Sequence, residues 1–512
     1  MVNTLHLLAL LGCISTMCQP LKIRGKRMNV LFIANDDLRP MIKALDPEKY
    51  GYMHTPNLDK FTKDSLVLTN SHVQQAVCSP SRTSLLFGRR PDTTKIYDLQ
   101  TNTRDVGCKD CVTIPGLFTE AGYFTVGMGK IFHDGTASNF SDPQSWSDLN
   151  GTTTYKNYFM GEHRYFNQSW LSVDEDKTGQ CRDSQVRDHA VSWLRNLSKS
   201  DGDQPWFVAV GFRKPHLSFA SPRRFFDLYP ANQTRLVDNP YAPTDMPEIA
   251  YASYELQNFP DVEATGFKGQ INETLVDWKA KEEVRAYQAG VSYTDYNIGV
   301  VLDELKALGH WNDTIIVFWG DHGYKLGHHG AWCKHTNFQT DTNTPLMIRI
   351  PGLTDGGMKS NALVEHVDIM ATLVEAAGLE KVQTCPENKP WTVRRCTEGQ
   401  SFLKLFENPN AAWKNASYSQ YPRGGTRNPY MGYSMTTDKN LRFTAWVDFD
   451  GHTNTTTFSM HGSKCGFELY DHKTDPAENV NLAYRSEHKQ TVDKLFAQLK
   501  AGWRATAGGL PT

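Results

Sequence analysis

A chain of 512 residues, 39% apolar and 21% charged, has the material for one large hydrophobic core and a smaller second one. Its composition is that of a folded globular protein. A formal charge of −2, without any run of Lys and Arg, excludes a general affinity for nucleic acid; if the chain binds an anion, positive charge must be gathered locally.

In chain order, residues 5–14 form one apolar run, too short to cross a bilayer as a helix. Small and polar residues follow, so residues 1–18 read as a signal peptide cut near 18 or 19, although no Lys or Arg precedes the run. No later stretch reaches membrane-spanning length, and no membrane partner is expected after cleavage. Asn29–Ala34 is a near-continuous apolar run, as expected of a strand buried on both faces. Phe124–Met128, Trp206–Gly211, Thr314–Trp319 and Pro345–Ile350 have the same character. Between them, Val186, Ala190, Leu194 and Leu197 share one helical face, and Val284, Tyr287, Val291, Ile298, Val301, Leu302 and Leu305 mark a long helical region. Ile369, Leu373 and Ala376 mark another helix. Residues 134–183 and 218–275, rich in Asn, Asp, Pro and aromatics, lack period and read as long surface loops that shape a cleft. The alternation ends near 405; strands at Arg442–Val447 and Phe467–Tyr470 and a helix around Val492–Trp503 follow. The expected fold is α/β: a large mixed, mainly parallel sheet flanked by helices over 27–405, with a smaller α+β subdomain over 406–512.

Sequons at Asn139, Asn150, Asn167, Asn196, Asn232, Asn272, Asn312, Asn415 and Asn454 are too dense for chance beside a leader, and point to a glycoprotein of the secretory route. Two of the ten cysteines, Cys13 and Cys18, fall in the leader. In an oxidising route Cys385 and Cys396 are expected to pair across a short loop, while Cys108 and Cys111 pair with each other or elsewhere.

Asp36-Asp37 directly follow the first strand and Asp321-His322-Gly323 follow another, which places both groups at the carboxyl edge of an α/β sheet, where ligands bind. Singly, each is as well explained by loop polarity or a helix cap. Together they offer carboxylates and an imidazole to a hard divalent cation, Ca²⁺ or Mg²⁺ rather than zinc, with His322 either a ligand or a substrate contact. Lys130 with His133, Lys214-Pro215-His216, and Lys334 with His335 also follow strand-like runs and would surround an anionic ester with charge and proton donors.

Cys78-Ser79-Pro80-Ser81-Arg82, followed by Leu85-Leu86 and Gly88, opens a helix and resembles the core signature of the sulfatase family. A lone Cys beside a Pro turn would read as a buried structural thiol; the five-residue pattern reverses that reading. The resemblance extends to Asp36-Asp37-Leu38-Arg39-Pro40, Gln74–Cys78, Gly88–Thr94, Gly129-Lys130 with His133, Lys214-Pro215-His216, Asp321-His322-Gly323, Trp332 with Lys334, Ser419–Arg423 and Met431–Ser434. It implies an alkaline-phosphatase-like fold. It implies that the formylglycine-generating enzyme oxidises Cys78 to formylglycine, whose hydrate is the nucleophile, and that Ca²⁺ is held by Asp36, Asp37, Asp321, His322 and the modified Cys78. Arg82 would steady the hydrate and Lys130, His133, His216 and Lys334 line the sulfate pocket, with His216 or Lys334 protonating the departing sugar oxygen and His133 taking the second hydroxyl's proton. With Cys78 consumed, seven of the ten cysteines remain and one is left over.

The narrower segments imply removal of the 2-O-sulfate from L-iduronate in glycosaminoglycans such as heparan and dermatan sulfate, in a lysosome or else outside the cell. By position relative to the motifs Lys95 or His335 could meet the uronate carboxylate; an exposed charge and an ordinary loop His explain them equally well. The rival readings are a sulfatase for another sulfated sugar and a secreted glycan-binding protein with an inactive site. A phosphatase on the same fold is disfavoured by Cys78 and the carboxylate-rich metal set. Departures from the family pattern stand at Phe87, Tyr324, His328 and His335, and in a shortened loop at 150–183.

Overall fold

The computed structural model describes residues 27–139, 141–159, 167–174, 181–199, 203–425 and 429–506; the expected leader lies outside them. The main sheet is built from β1 (Asn29–Asn35), β2 (Leu66–His72), β3 (Phe124–Gly129), β4 (Tyr155–Lys156), β5 (Trp206–Phe212), β6 (Thr314–Gly320), β7 (Leu346–Arg349) and β8 (Met358–Glu365). Their order is β8-β2-β7-β6-β1-β5-β3-β4. Within it β7 runs against both neighbours, and the other pairs are parallel.

The helices that matter here are α1 (Cys78–Phe87), α2 (Arg182–Ser198), α3 (Asp277–Ala307) and α4 (Asp368–Ala376). They explain the near-continuous apolar runs. Leu31 and Ile33 of β1 face one core with Val186 and Ala190 of α2 and Tyr287, Val291 and Ile298 of α3. Val30, Phe32 and Ala34 face the other, with Leu85 and Leu86 of α1 and Ile369 and Leu373 of α4. A strand sandwiched between two helical layers has no wet face and needs no polar alternation.

Pro345–Ile350 does contain a strand, but periodicity carries no direction and it runs antiparallel. β2 and β8 were not legible: β2 ends in Thr69-Asn70-Ser71-His72, and β8 is a partly exposed edge strand whose register shifts between Ser360 and Leu363. The two long irregular stretches are tied together by a short parallel pairing of Trp170–Val173 with Phe219–Pro222.

The C-terminal sheet is antiparallel, β9 (Ala416–Arg423), β10 (Tyr430–Thr437), β11 (Leu441–Asp448) and β12 (Gly466–Asp471) in sequential order. Helix α5 (Lys489–Thr506) lays Val492, Leu495 and Leu499 on Met435, Phe443, Val447 and Leu469. Cys108–Cys111 and Cys385–Cys396 are disulfides. The expectation of one leftover thiol besides Cys78 is corrected, since Cys333 and Cys465 both carry free thiols; each is bonded to a local oxygen, Lys334 O and Asp448 Oδ1. The sequon asparagines are exposed, Asn454 partly so. Among the described residues no helix is long and apolar enough to cross a membrane.

A buried ionic network joins the two sheets. Arg90, just past α1, pairs in fork fashion with Glu365 at 2.7 and 2.9 Å. Lys414 bridges Glu365 (2.9 Å) and Asp368 (2.6 Å), and the Tyr418 amide of β9 donates to Glu365. Burial alone would raise the Glu365 carboxyl; Arg90 and Lys414 outweigh it and hold it below the ordinary carboxylate range. A carboxyl with a lower pKa folded than unfolded gives its full stabilisation above the unfolded value of about 4.3 and loses it only as pH falls below that. Glu365→Ala should therefore cost about 3–5 kcal/mol by stranding buried cations, with the same deficit at pH 7 and pH 5. Denaturant titrations of both proteins at the two pH values check this, and a deficit absent at pH 7 or gone by pH 5 contradicts it.

Candidate active site

The parallel order β6-β1-β5-β3 places four loops at one sheet edge. β1 and β6 are in register from Asn29 opposite Thr314 to Asn35 opposite Gly320, so Asp36-Asp37 and Asp321-His322 leave the sheet side by side. Asp321 N donates to Asn35 O, and Asp37 N to Asp321 Oδ1 at 3.0 Å. Asp37 sits at φ 57°, a left-handed conformation that Asp tolerates better than most residues, and its carbonyl is held by the Tyr287 hydroxyl of α3 at 2.7 Å. β3 delivers Lys130 through Gly129, where an added Cβ would meet Gly211 O at 2.1 Å. β5 delivers Arg213 to His216.

Cys78 is the first residue of α1, whose ten residues are all buried. Val77 precedes it in extended conformation, so the unpaired N–H groups of the first turn lie where the chain meets the carboxylates. Gly88 ends the helix at φ 61°, where a Cβ would strike Met370 Sδ at 2.7 Å and Thr397 Oγ1 at 2.8 Å.

These elements converge on Cys78 Sγ, which lies 3.4 Å from Asp36 Oδ1 and 3.3 Å from His322 Nε2. Arg82, one turn on, donates Nε to Asp321 Oδ2 (2.8 Å), Nη2 to Asp36 Oδ1 (3.4 Å), and Nη1 to the Lys130 and Ile131 carbonyls. Lys130 Nζ lies 2.5 Å from Asp36 Oδ2. Lys334, supplied by a hairpin of Lys325–Leu326 with Trp332–Cys333, reaches Asp37 Oδ1 and Oδ2 at 3.1 and 3.0 Å. Asp36, Asp37, Arg82, Lys130, Asp321, His322 and Lys334 are all at most 1% exposed.

Burial alone would raise Asp36; Lys130, His216 and Arg82 outweigh it and hold its carboxyl well below the usual range. Burial lifts Asp37 to about 6 despite Lys334. It also lifts the Cys78 thiol well above its ordinary value, reinforced by Asp36, so an unmodified Cys78 is no thiolate. Burial and then Lys130 push His133 down to about 3, and among the described residues its buried Nδ1 has no hydrogen-bond partner. Burial and then Lys334 push His216 well below the normal range, and its Nδ1 meets the Leu217 carbonyl.

The donor set suits a hard cation. Asp36, Asp37, Cys78 and His322 present ligand atoms all within 4.8 Å of one another. Asp321 stands beside that group: its Oδ1 accepts from the Asp37 amide and lies 3.6 Å from His322 Nε2, while its Oδ2 pairs with Arg82. His322 Nδ1 meets the Gly323 carbonyl at 3.0 Å, which requires a proton on Nδ1. In the neutral ring Nε2 is then an acceptor, and it faces Asp37 Oδ1 at 3.3 Å. A cation between these two acceptors would satisfy both, with the Gly323 carbonyl orienting the ring.

Other sequence expectations change. Lys214 does not face the cluster: its ammonium is spent on the His216 and Ser218 carbonyls, bracing the loop. Lys95 donates to Asn454 O at 2.9 Å. Both ring nitrogens of His335 are engaged, Nδ1 with Tyr421 OH at 2.6 Å and Nε2 with Glu255 Oε1 at 2.9 Å. Tyr324 lies behind Lys334, whose ammonium is 5.8 Å from the ring centroid, and His328 packs on the Arg39 guanidinium at 3.4 Å. Glu255 and Tyr254 were missed: Glu255 Oε2 lies 3.0 Å from Lys334 Nζ, and the Tyr254 ring stacks on His335 at 4.1 Å. They stand in a stretch without period, far from every motif in the chain, and no local signal marks them.

A family model described as Sulfatase matches residues 28–379. Iduronate 2-sulfatase from Mus musculus is 33% identical over 91% of this chain and 93% of its own length. The Homo sapiens protein of that name is 33% identical over 89% of this chain and 91% of its own length. A solved structure described as a complex with its substrate D-glucosamine-2-N,6-O-disulfate superimposes with a TM-score of 0.67 at 22% identity, covering 94% of this chain and 98% of that one. The chain belongs to the sulfatase family.

Proposed function

We propose that this sulfatase removes the 2-O-sulfate from L-iduronate residues of glycosaminoglycans such as heparan and dermatan sulfate, using a formylglycine made from Cys78. The observation that carries the chemistry is Cys78 at the start of α1 between Asp36 and His322, with Arg82, Lys130 and Lys334 around it. The substrate rests on the name shared by the two relatives, matched over some nine-tenths of the chain.

Cys78 Sγ marks where a hydroxyl of the formylglycine hydrate would stand; that hydrate supplies an oxygen nucleophile and a second hydroxyl whose deprotonation expels sulfate. Asp36, Asp37, His322 and the modified Cys78, with Asp321 beside them, would hold Ca²⁺, which supplies charge to the sulfuryl oxygens and to the nucleophile. Arg82, pinned to Asp321, fixes the hydrate's position. Asp36 keeps Lys130 charged, and Asp37 and Glu255 keep Lys334 charged, against the effect of burial, so both remain available to a sulfate ester. His133, neutral above about pH 3, takes the second hydroxyl's proton. His216 rests neutral, so the proton at hand for the departing sugar oxygen is that of Lys334.

The sequons and disulfides support the secretory route, with formylglycine-generating enzyme as a partner in biosynthesis and the lysosome as destination, the extracellular space being the other. A second reading, a sulfated sugar without a carboxylate, is favoured by one group of contacts: Lys95 and His335 are both engaged, and Glu255 adds negative charge beside Lys334.

Converted enzyme should release sulfate from a 2-sulfated uronate disaccharide and not from 6-sulfated hexosamine. Release from the hexosamine alone keeps the chemistry and overturns the substrate. Cys78→Ser should lose steady-state turnover, because a serine ester has no second hydroxyl to expel sulfate; normal turnover would sink the formylglycine mechanism. Removing metal with EDTA should abolish activity and Ca²⁺ should restore it better than Zn²⁺, as read by sulfate release after dialysis. Lys334→Ala should lower kcat/KM about 10²–10³-fold.

A further inference from the structure

Glu255 reaches the active site on a strained backbone. Its φ is 93°, a region unfavourable to any side chain, and Cys333 and His335, which flank its partner Lys334, are also at positive φ, 134° and 81°. The carboxylate spans Lys334 (3.0 Å) and His335 (2.9 Å). His335 is in turn fixed by the Tyr421 hydroxyl and the Tyr254 ring, and its carbonyl accepts from Arg423 Nη2 at 2.6 Å.

An ammonium has three N–H groups. Around Lys334 Nζ stand Asp37 Oδ1, Asp37 Oδ2 and Glu255 Oε2 at 3.1, 3.0 and 3.0 Å. The two Asp37 oxygens belong to one carboxylate and can share an N–H, so a sulfuryl oxygen reaches Lys334 beside Glu255 or in its place. Asp37 is wholly buried, whereas the Glu255 side chain is 26% exposed and its backbone is strained. Burial would favour its neutral form, but Lys334 and His335 outweigh that and keep it ionised. Glu255 is thus an anion standing where the substrate's own anion must contact Lys334.

We infer that Glu255 is a specificity-determining residue that selects the singly charged sulfate ester over the doubly charged sulfate ion at Lys334. This rests on the sulfatase chemistry above, not on the identity of the sugar. Repulsion between fixed charges scales with their product. At equal distance, Glu255 therefore opposes inorganic sulfate with about twice the free energy with which it opposes an ester, and the affinity ratio for the ion is about the square of that for the ester. A pocket of cations would otherwise retain its dianionic product, and slow product release limits many enzymes.

The test compares Glu255→Gln, which removes the charge at nearly constant shape, with wild type in the converted, Ca²⁺-loaded enzyme. Calorimetry gives the Kd of inorganic sulfate, and kinetics give the KM of an aryl sulfate. The expected result is a Kd about tenfold lower with a KM only about threefold lower, and a melting temperature within a few degrees of wild type. Glu255→Asp, which keeps the charge, should leave the ratio of Kd to KM near the wild-type value. A sulfate Kd that is unchanged or higher in Glu255→Gln, or a KM that falls as far as the Kd, overturns the inference. Neither probe contains uronate. A silent 2-sulfated uronate with the expected shift in sulfate affinity would remove the substrate assignment alone; a cleaved uronate without that shift would remove the role of Glu255 alone.

Discussion

The structure depends on placing opposite charges at one dry sheet edge in near balance. Asp36, Asp37 and Asp321 are buried with Arg82, Lys130 and Lys334, and each carboxylate meets at least one cation directly. Any one of these charges alone would cost several kcal/mol to bury. Together they hold one another, and the parallel register of β1 and β6 is what makes them neighbours. These groups are buried at the edge between two apolar cores, so the same charges act at short range with little screening.

Balance does not mean saturation. His322 Nε2 and Asp37 Oδ1 face each other, His133 Nδ1 lacks a partner among the described residues, and Lys334 is divided between a buried and a partly exposed carboxylate. Asp37, Glu255, Cys333 and His335, all at positive φ, belong to the same group of residues. Elsewhere the ionic groups join elements of the fold: Arg90–Glu365–Lys414 between the sheets, and Arg442 with Glu468 and Glu478 in the C-terminal subdomain. The contrast separates charge that stabilises from charge kept available for a ligand.

The C-terminal sheet takes part in the site as well as in stability. Tyr421 and Arg423 at the end of β9 hold the His335 ring and carbonyl, and His335 holds Glu255. The irregular stretch carrying Tyr254 and Glu255 is thereby fastened between the hairpin of Lys334 and a strand of the second sheet. A change in either layer is transmitted to the ammonium that would receive the sulfate.

By itself the sequence determined the strand–helix alternation, because strands buried on both faces must be apolar throughout and helices must show a stripe. It also marked Asp36-Asp37, Cys78 to Arg82, Lys130 and Asp321-His322, because short motifs at strand ends keep their chemistry in local order. The direction of β7, the half-polar strands β2 and β8, and the diversion of Lys214, Lys95 and His335 to other partners were decided by tertiary structure. Glu255 is the sharpest case. Its role depends on a contact with Lys334 across 79 residues of chain, made by folding an unpatterned segment against a hairpin. Periodicity and motif report what a residue's neighbours in sequence require; only the packed fold reports which charge lies three ångströms away.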